Sequence, residues 1–305
     1  MKSVVANSLV KNYGKKKNIV KALTGVSFEV DKGEVFGIIG PDGAGKTSLF
    51  RILTTLLLPD GGNATVDGLD VVKDYKTIRQ QVGYMPGRFS LYQDLTVAEN
   101  LEFFATIFKT SIGENYALVK EIYSQIEPFR DRKAGKLSGG MKQKLALSCA
   151  LIHRPSVLFL DEPTTGVDAV SRKEFWEMLK RLKEQGITIL VSTSYMDEAS
   201  LCDRVALIQL GSILSINTPQ GIIDEFVKPL LAVKADNMLH LLNNLKKFDG
   251  QEDSYPFGEY HHVVLRDKNR EVDLKKYLQN QSHLHLEIKK VTPDIEDCFM
   301  ELMQN

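Results

Sequence analysis

The stretch Gly40-Pro41-Asp42-Gly43-Ala44-Gly45-Lys46-Thr47 follows the spacing G-x-x-x-x-G-K-T, and its reading decides the fold. Upstream, the apolar run from Glu34 to Ile39 reads as a buried strand. Downstream, the apolar-rich run from Thr47 to Leu58 reads as a helix. Strand, loop and helix in that order are what give the motif its meaning. The glycines let the backbone curl around a phosphate chain with its N–H groups turned inward, and the helix N-terminus adds positive potential at the same spot. Gly40, Pro41, Asp42, Gly43, Ala44, Gly45, Lys46, Thr47 and Ser48 are therefore the candidates to cradle phosphates. Lys46 is expected to reach the outer phosphates, and the Thr47 hydroxyl to ligate Mg²⁺.

A second element is Val157-Leu158-Phe159-Leu160-Asp161-Glu162, an apolar strand that ends in two carboxylates. In a parallel sheet such an end lies beside the phosphate loop, at the carboxyl edge. Asp161 is then a candidate to hold Mg²⁺ through water, and Glu162 to polarise an attacking water. Between the two lies Leu137-Ser138-Gly139-Gly140-Met141-Lys142-Gln143. Ser138 reads as a helix N-cap, and Gly139 and Gly140 bare the backbone, making a second anion-binding helix end.

The three motifs together resemble the ATP-binding-cassette (ABC) ATPases, whose signature is Leu-Ser-Gly-Gly followed by a Gln, ahead of the Asp-Glu strand. The resemblance runs from Val4 to about Phe226. It implies an α/β fold, a P-loop NTPase of the ABC type with a helical subdomain. It also implies that ATP is buried between two such domains arranged head to tail, the signature helix facing the γ-phosphate held by the other one. The resemblance places Tyr13 where an aromatic ring stacks on adenine, and Asp168, in Gly166-Val167-Asp168, where a loop crosses the dimer interface. It implies a membrane permease as partner, facing the segment that carries Phe89, Leu91, Tyr92, Leu95, Phe103 and Phe104. About two-thirds of those six are expected in the core. The implied location is cytoplasmic, peripheral on the inner face of the cell membrane.

Two departures from the family pattern stand out. The family usually has a Gln after the strand Val82 to Met85, where this chain has Gly87. It usually has a His bonding the γ-phosphate after the strand Ile187 to Val191, where this chain has Ser194. Serine is short and carries no positive charge, so it cannot replace an imidazole at full reach. Gln93 lies too far along the chain to be a simple replacement. Two outcomes stay open. Either a neighbouring group compensates and ATP turns over normally, or the site binds ATP and hydrolyses it slowly. In the second case the intact signature helix could still complete a competent site on a different ATPase chain.

Composition bounds the remaining classes. The chain has 305 residues, with 39 basic and 39 acidic side chains, so its net charge is zero. Binding a phosphate backbone needs a basic excess, so nucleic acid is not expected as a partner. Cys149, Cys202 and Cys298 are scattered without metal-type spacing and read as reduced, mostly buried thiols. No secretory pattern opens the chain, and no apolar run reaches the about 20 residues that a bilayer span takes. No Asn-Lys-x-Asp guanine-reading motif occurs. A non-transport ABC ATPase and an ATP-binding regulatory partner with little turnover remain as alternatives.

The domain reading is 1–227 for the nucleotide domain, with a helical insertion at about 87–136, and 228–305 for a small α+β domain. The appendage resembles the C-terminal extension of export-type ABC ATPases, with a dimerisation or regulatory role. Within the first domain, Ser8 to Tyr13 and Gly25 to Val30 read as strands joined by a charged turn at Gly14 to Asn18. Thr96 with Glu99 reads as a capping box that opens a helix to Phe108, and Asn115 to Ile126 as a second helix. In the appendage, Phe248 to Gly258 reads as a polar loop, and His283 and His285 as ordinary residues sharing one strand face.

Overall fold

The computed structural model describes residues 1–14 and 18–303. The middle of the charged turn expected at Gly14 to Asn18 lies outside the described residues. The chain divides into two compact units, Met1–Gln220 and Gly221–Gln304, ahead of the Lys228-Pro229 linker suggested by the sequence.

In the first unit, β1 (Lys2–Tyr13) and β2 (Val20–Asp31) form a long antiparallel pair. β3 (Val35–Ile39) is buried along its whole length, as a strand covered on both faces must be. It delivers the chain into the glycine loop and α1 (Lys46–Leu53). That helix stops short of Leu58, contrary to expectation. The Thr54 hydroxyl bonds back to the Phe50 carbonyl at 2.8 Å, and Thr55 turns into a left-handed conformation. The apolar residues beyond it, Leu56 and Leu58, lie on the surface instead. β4 (Gly61–Val66), β5 (Leu69–Asp70), α2 (Tyr75–Gln81) and β6 (Val82–Met85) follow. The strands β2, β1, β4 and β5 make one antiparallel sheet in that order.

The insertion holds α3 (Val97–Ile107) and α4 (Ile112–Tyr123), and α5 (Gly139–Leu151) begins at the signature stretch. Thr96 and Glu99 form the expected capping box. A second box, Ser111 with Glu114, starts α4 ahead of Asn115. Of the six apolar residues named in this segment only Leu91 is fully buried. Phe89, Leu95, Phe103 and Phe104 are half-buried, and Tyr92 is 51% exposed with its ring edge-on to Phe103. The expected two-thirds core is therefore wrong. Two of them, Leu91 and Phe104, join Leu56 and Phe108 in lining a mostly apolar cleft of about 180 Å³.

β7 (Val157–Asp161), α6 (Ala169–Glu184), β8 (Thr188–Thr193), β9 (Arg204–Gln209) and β10 (Ser212–Asn217) complete the unit. The order β10-β9-β3-β8-β7-β6 gives a six-stranded sheet that is parallel except for the β9–β10 hairpin. Register aligns Ile39 with Thr193, and Asp161 with Ser192, so the carboxyl ends of β3, β7 and β8 open side by side. Under them Phe50 of α1 meets Phe159 of β7 edge to face, with ring centroids 5.9 Å apart. Both are fully buried.

α7 (Pro219–Glu225) spans the division. The second unit contains β11 (Leu230–Lys234), α8 (Met238–Leu245), β12 (Gln251–Phe257), β13 (Tyr260–Leu265), α9 (Arg270–Gln279), β14 (Glu287–Lys290) and α10 (Ile295–Leu302). Its antiparallel sheet, β12-β13-β11-β14, packs Leu231, Val233, Val263 and Leu265 against Leu241, Leu245, Leu274 and Leu278. Two sequence readings fail here. The supposed polar loop at Phe248 to Gly258 contains β12. Pro256 and Asp253 disguise it, and an edge strand tolerates both because one side of its ladder is free. His283 and His285 precede β14 rather than lying on it. His283 bonds Asn244 at 3.1 Å and His285 bonds Asp236 at 3.0 Å. On β13, buried His262 stacks on Phe257 and shares a hydrogen with Asp297 at 2.6 Å.

Candidate nucleotide site

The glycine loop is shaped by what surrounds it. A Cβ on Gly40 would lie 2.1 Å from the Ile208 carbonyl oxygen of β9, and one on Gly45 2.3 Å from the Ala22 carbonyl oxygen of β2. Both approaches involve backbone, which cannot give way cheaply. Gly43 stands in open space but at φ +81°, so there conformation rather than room calls for glycine. Gly45 is the N-cap of α1 and supplies no side-chain acceptor to the helix's first amides. Those amides stay available to an anion.

Lys46 is 5% exposed, and its ammonium donates to the Gly40 carbonyl at 2.6 Å and the Pro41 carbonyl at 3.0 Å. It also pairs with Glu162 Oε1 at 2.9 Å, a charge contact without hydrogen-bond alignment. The Thr47 hydroxyl donates to Asp161 Oδ1 at 3.2 Å, and Ser192 Oγ donates to the same oxygen at 2.6 Å. Oxygen-only donors gathered around a buried carboxylate suit a hard divalent cation such as Mg²⁺. Along the loop from Asp42 to Ser48, with Glu162 opposite, runs a cavity of about 170 Å³. Glycine cradle, lysine and oxygen donors together fit a magnesium-bound polyphosphate.

Glu162 sits in a left-handed conformation (φ +51°) just past the end of β7. Its amide donates to the Ser192 carbonyl at 3.0 Å and to Ser192 Oγ at 3.1 Å. Its Oε2 accepts from the Thr165 hydroxyl at 3.0 Å and from the Ser194 amide at 3.3 Å. Ser194 therefore contacts the site through its backbone. A Cβ on Gly87 would come within 2.9 Å of the Asp161 carbonyl oxygen and 3.3 Å of Glu162 Cβ. Any side chain at 87 needs this loop to shift, so putting glutamine there is not a simple exchange. A second cavity, of about 490 Å³, opens between Gly87, Ser194 and the two carboxylates.

Tyr13 reaches α1 by sharing a hydrogen with Ser48 Oγ at 3.0 Å, and its ring is 39% exposed. That leaves ring surface open beside the phosphate loop, as a base platform needs. The signature residues form a separate group. Ser138 Oγ caps α5, accepting from the Met141 amide at 3.3 Å. Gly140 packs so closely on Ser171 of α6 that a Cβ would lie 2.9 Å from its hydroxyl. Asp168 caps α6, accepting from the Val170 and Ser171 amides at 3.1 and 3.0 Å, and the Ser171 amide holds its carboxyl below the ordinary range. Among the described residues, no hydrogen bond joins Ser138, Gly139, Gly140 or Asp168 to the phosphate loop.

Sequence reasoning missed Ser192, which locks both Asp161 and the Glu162 amide. Its place follows from strand register, which no motif spells out. It also missed a clasp behind the site: Glu198, 1% exposed, accepts from the Thr164 hydroxyl at 2.8 Å and pairs with Arg172 at 3.3 Å. The Arg172 guanidinium lies 4.3 Å over the Tyr195 ring.

Comparison with known proteins agrees with this geometry. A family model described as ABC transporter matches residues 23–165. YbhF of Escherichia coli (strain K12), a probable multidrug ABC transporter ATP-binding protein, is 39% identical over 280 residues, covering 90% of this chain. This chain spans about half of YbhF, 48% of its length. The daunorubicin resistance ATP-binding protein DrrA2 of Streptomyces coeruleorubidus is 33% identical over 309 residues, covering 98% of this chain and 94% of DrrA2. Among solved structures, the ATP-binding cassette MJ0796, in a dimeric post-hydrolysis state bound to ADP and Pi, is similar with a TM-score of 0.64 at 28% identity. That likeness covers 70% of this chain and 98% of the other. With its three motifs in place on a cassette fold of the P-loop NTPase class, the chain belongs to the family of ABC transporter ATP-binding proteins.

Proposed function

We propose that this chain is the ATP-binding and ATP-hydrolysing subunit of an ABC transporter and drives a separate membrane permease. The observation that carries the reading is the convergence of Lys46, Thr47, Asp161 and Glu162 at one end of the parallel sheet. Lys46 holds the outer phosphates of ATP. Glu162, held by Thr165 and the Ser194 amide, takes a proton from a water as that water's oxygen bonds the γ-phosphorus. The bond from the γ-phosphorus to the β-bridging oxygen breaks, leaving ADP and inorganic phosphate. Thr47 and Asp161 would hold a Mg²⁺ ion, which would supply charge neutralisation on the phosphate oxygens. Neither Gly87 nor Ser194 offers a charged side chain to that centre, so turnover is slow unless another group does.

The separation of the signature group from the phosphate loop supports a site completed by a second domain. Ser138, Gly139, Gly140 and Asp168 of one copy face the nucleotide held by the other. In this reading the apolar cleft at Leu56, Leu91, Phe104 and Phe108 receives the permease. Among the described residues no helix is long and apolar enough to cross a membrane, which is consistent with a subunit that works at the inner face of the membrane through that partner. Export is supported by the names of relatives, which include multidrug, daunorubicin resistance and Nod factor export ATP-binding proteins.

Pairing is tested by light scattering on the full chain carrying Glu162→Gln, which is expected to retain bound ATP. Magnesium-ATP is expected to double the particle mass and magnesium-ADP to leave it unchanged. Adding Ser138→Arg, which plants a bulky cation at the start of α5, is expected to abolish the doubling. A single-chain mass with ATP bound would count against self-pairing and favour assembly with a different ATPase chain.

A further inference from the structure

The cavity beside the phosphate loop carries both signs of charge. Asp161 and Glu162 line it, and so do Arg51 and Arg88. It shares Asp42, Thr47 and Glu162 with the cavity that runs along the loop, so the two adjoin. Arg51, in the last turn of α1, lies near the Tyr84 hydroxyl and acts on it electrostatically. Arg88 is different. It follows Gly87, where a Cβ would lie 2.9 Å from the Asp161 carbonyl oxygen, and it lines the same cavity as the two carboxylates. It is exposed, and among the described residues it has no hydrogen bond or ion pair. An uncommitted guanidinium at the mouth of a site built for polyphosphate is placed for a forked contact with phosphate oxygens.

We infer that the Arg88 guanidinium contacts the γ-phosphate of ATP held by Lys46 and Thr47 and supplies the positive charge that Ser194 lacks. This rests on the nucleotide reading above and adds a catalytic residue to it. As water's oxygen joins the γ-phosphorus and the bond to the β-bridging oxygen breaks, negative charge spreads over the γ-oxygens. A positioned cation there lowers the barrier. Glycine at 87 is part of the same device. With no side chain at that position the cavity stays wide enough for the arginine to swing in. Arg88 is thus the neighbouring group that lets the site turn over despite serine at 194.

The test compares the full chain with its Arg88→Ala, Arg88→Lys and Arg88→Ala/Ser194→His variants. Magnesium-ADP and the non-hydrolysable analogue AMP-PNP serve as binding probes, and phosphate release from magnesium-ATP reports turnover. Arg88→Ala is expected to lower kcat by ~10²-fold, the order seen on losing one positioned donor. AMP-PNP should bind ~10-fold more weakly, while ADP, which lacks the γ-phosphate, binds as before. Arg88→Lys should fall between, and Ser194→His should restore much of the lost rate by returning a cation from the other wall. Unchanged kcat, or equal weakening of ADP and AMP-PNP, would overturn the assignment. Failure of the parent chain to bind either nucleotide would overturn the nucleotide reading itself, and Arg88's role with it.

Discussion

Replacing Glu162 with glutamine is expected to slow phosphate release by ~10²–10⁴-fold, the usual contribution of a positioned general base. The change should leave ATP bound, and bound more tightly. Glu162 Oε1 stands 2.9 Å from the Lys46 ammonium and competes with phosphate for it, so a neutral amide frees the lysine for the nucleotide. The isosteric amide keeps contact with the Thr165 hydroxyl and the Ser194 amide, so the loop holds its shape. Single-turnover phosphate release and equilibrium ATP binding on the same preparation separate the two effects. Parallel loss of binding and rate would show that Glu162 shapes the site rather than activating water.

Truncating Phe159 to alanine is expected to cost about 3–5 kcal/mol of stability, the range for emptying a fully buried aromatic site. Against a total of about 5–15 kcal/mol for a folded protein this is a large share. The ring lies on β7, two positions before Asp161, and meets Phe50 of α1 edge to face. It therefore joins the strand that carries the carboxylates to the helix that carries Lys46 and Thr47. Urea midpoints at constant slope measure the loss. Because magnesium-ATP binds the folded state, saturating nucleotide should recover part of it by mass action. A loss below about 1 kcal/mol would mean that the core collapses around the gap, against the picture of a rigid joint.

How far the sequence could be read follows from how local each cause is. The phosphate loop, the Asp161-Glu162 strand and the Ser138 cap were legible because their chemistry lies within a few consecutive residues. The helix α3 is legible through its Thr96–Glu99 box, whereas α4 begins ahead of the apolar pattern at Asn115 because Ser111 with Glu114 caps it. The helix α1 was read too long because Leu56 and Leu58 extend its apolar pattern, while Thr54 and Thr55 end it through backbone effects that periodicity does not register. β12 was lost to Pro256 and its acidic neighbours, which only an edge position makes acceptable. Ser192, Glu198 and Arg88 gain their roles from strand register and loop approach between segments far apart in the chain. Most of the six apolar residues of the helical segment lie half-buried rather than in the core, because apolar spacing in sequence does not separate a buried face from a partly covered one.

Titration of magnesium-ATP into the purified full chain and into its Lys46→Ala variant addresses the phosphate cradle directly. The parent should bind at one saturable site. The variant, losing a buried charged donor worth about 1.5–3 kcal/mol for each bond to phosphate, should bind at least ~10-fold more weakly. Equal affinity in the two proteins, or no binding by the parent, would contradict the account.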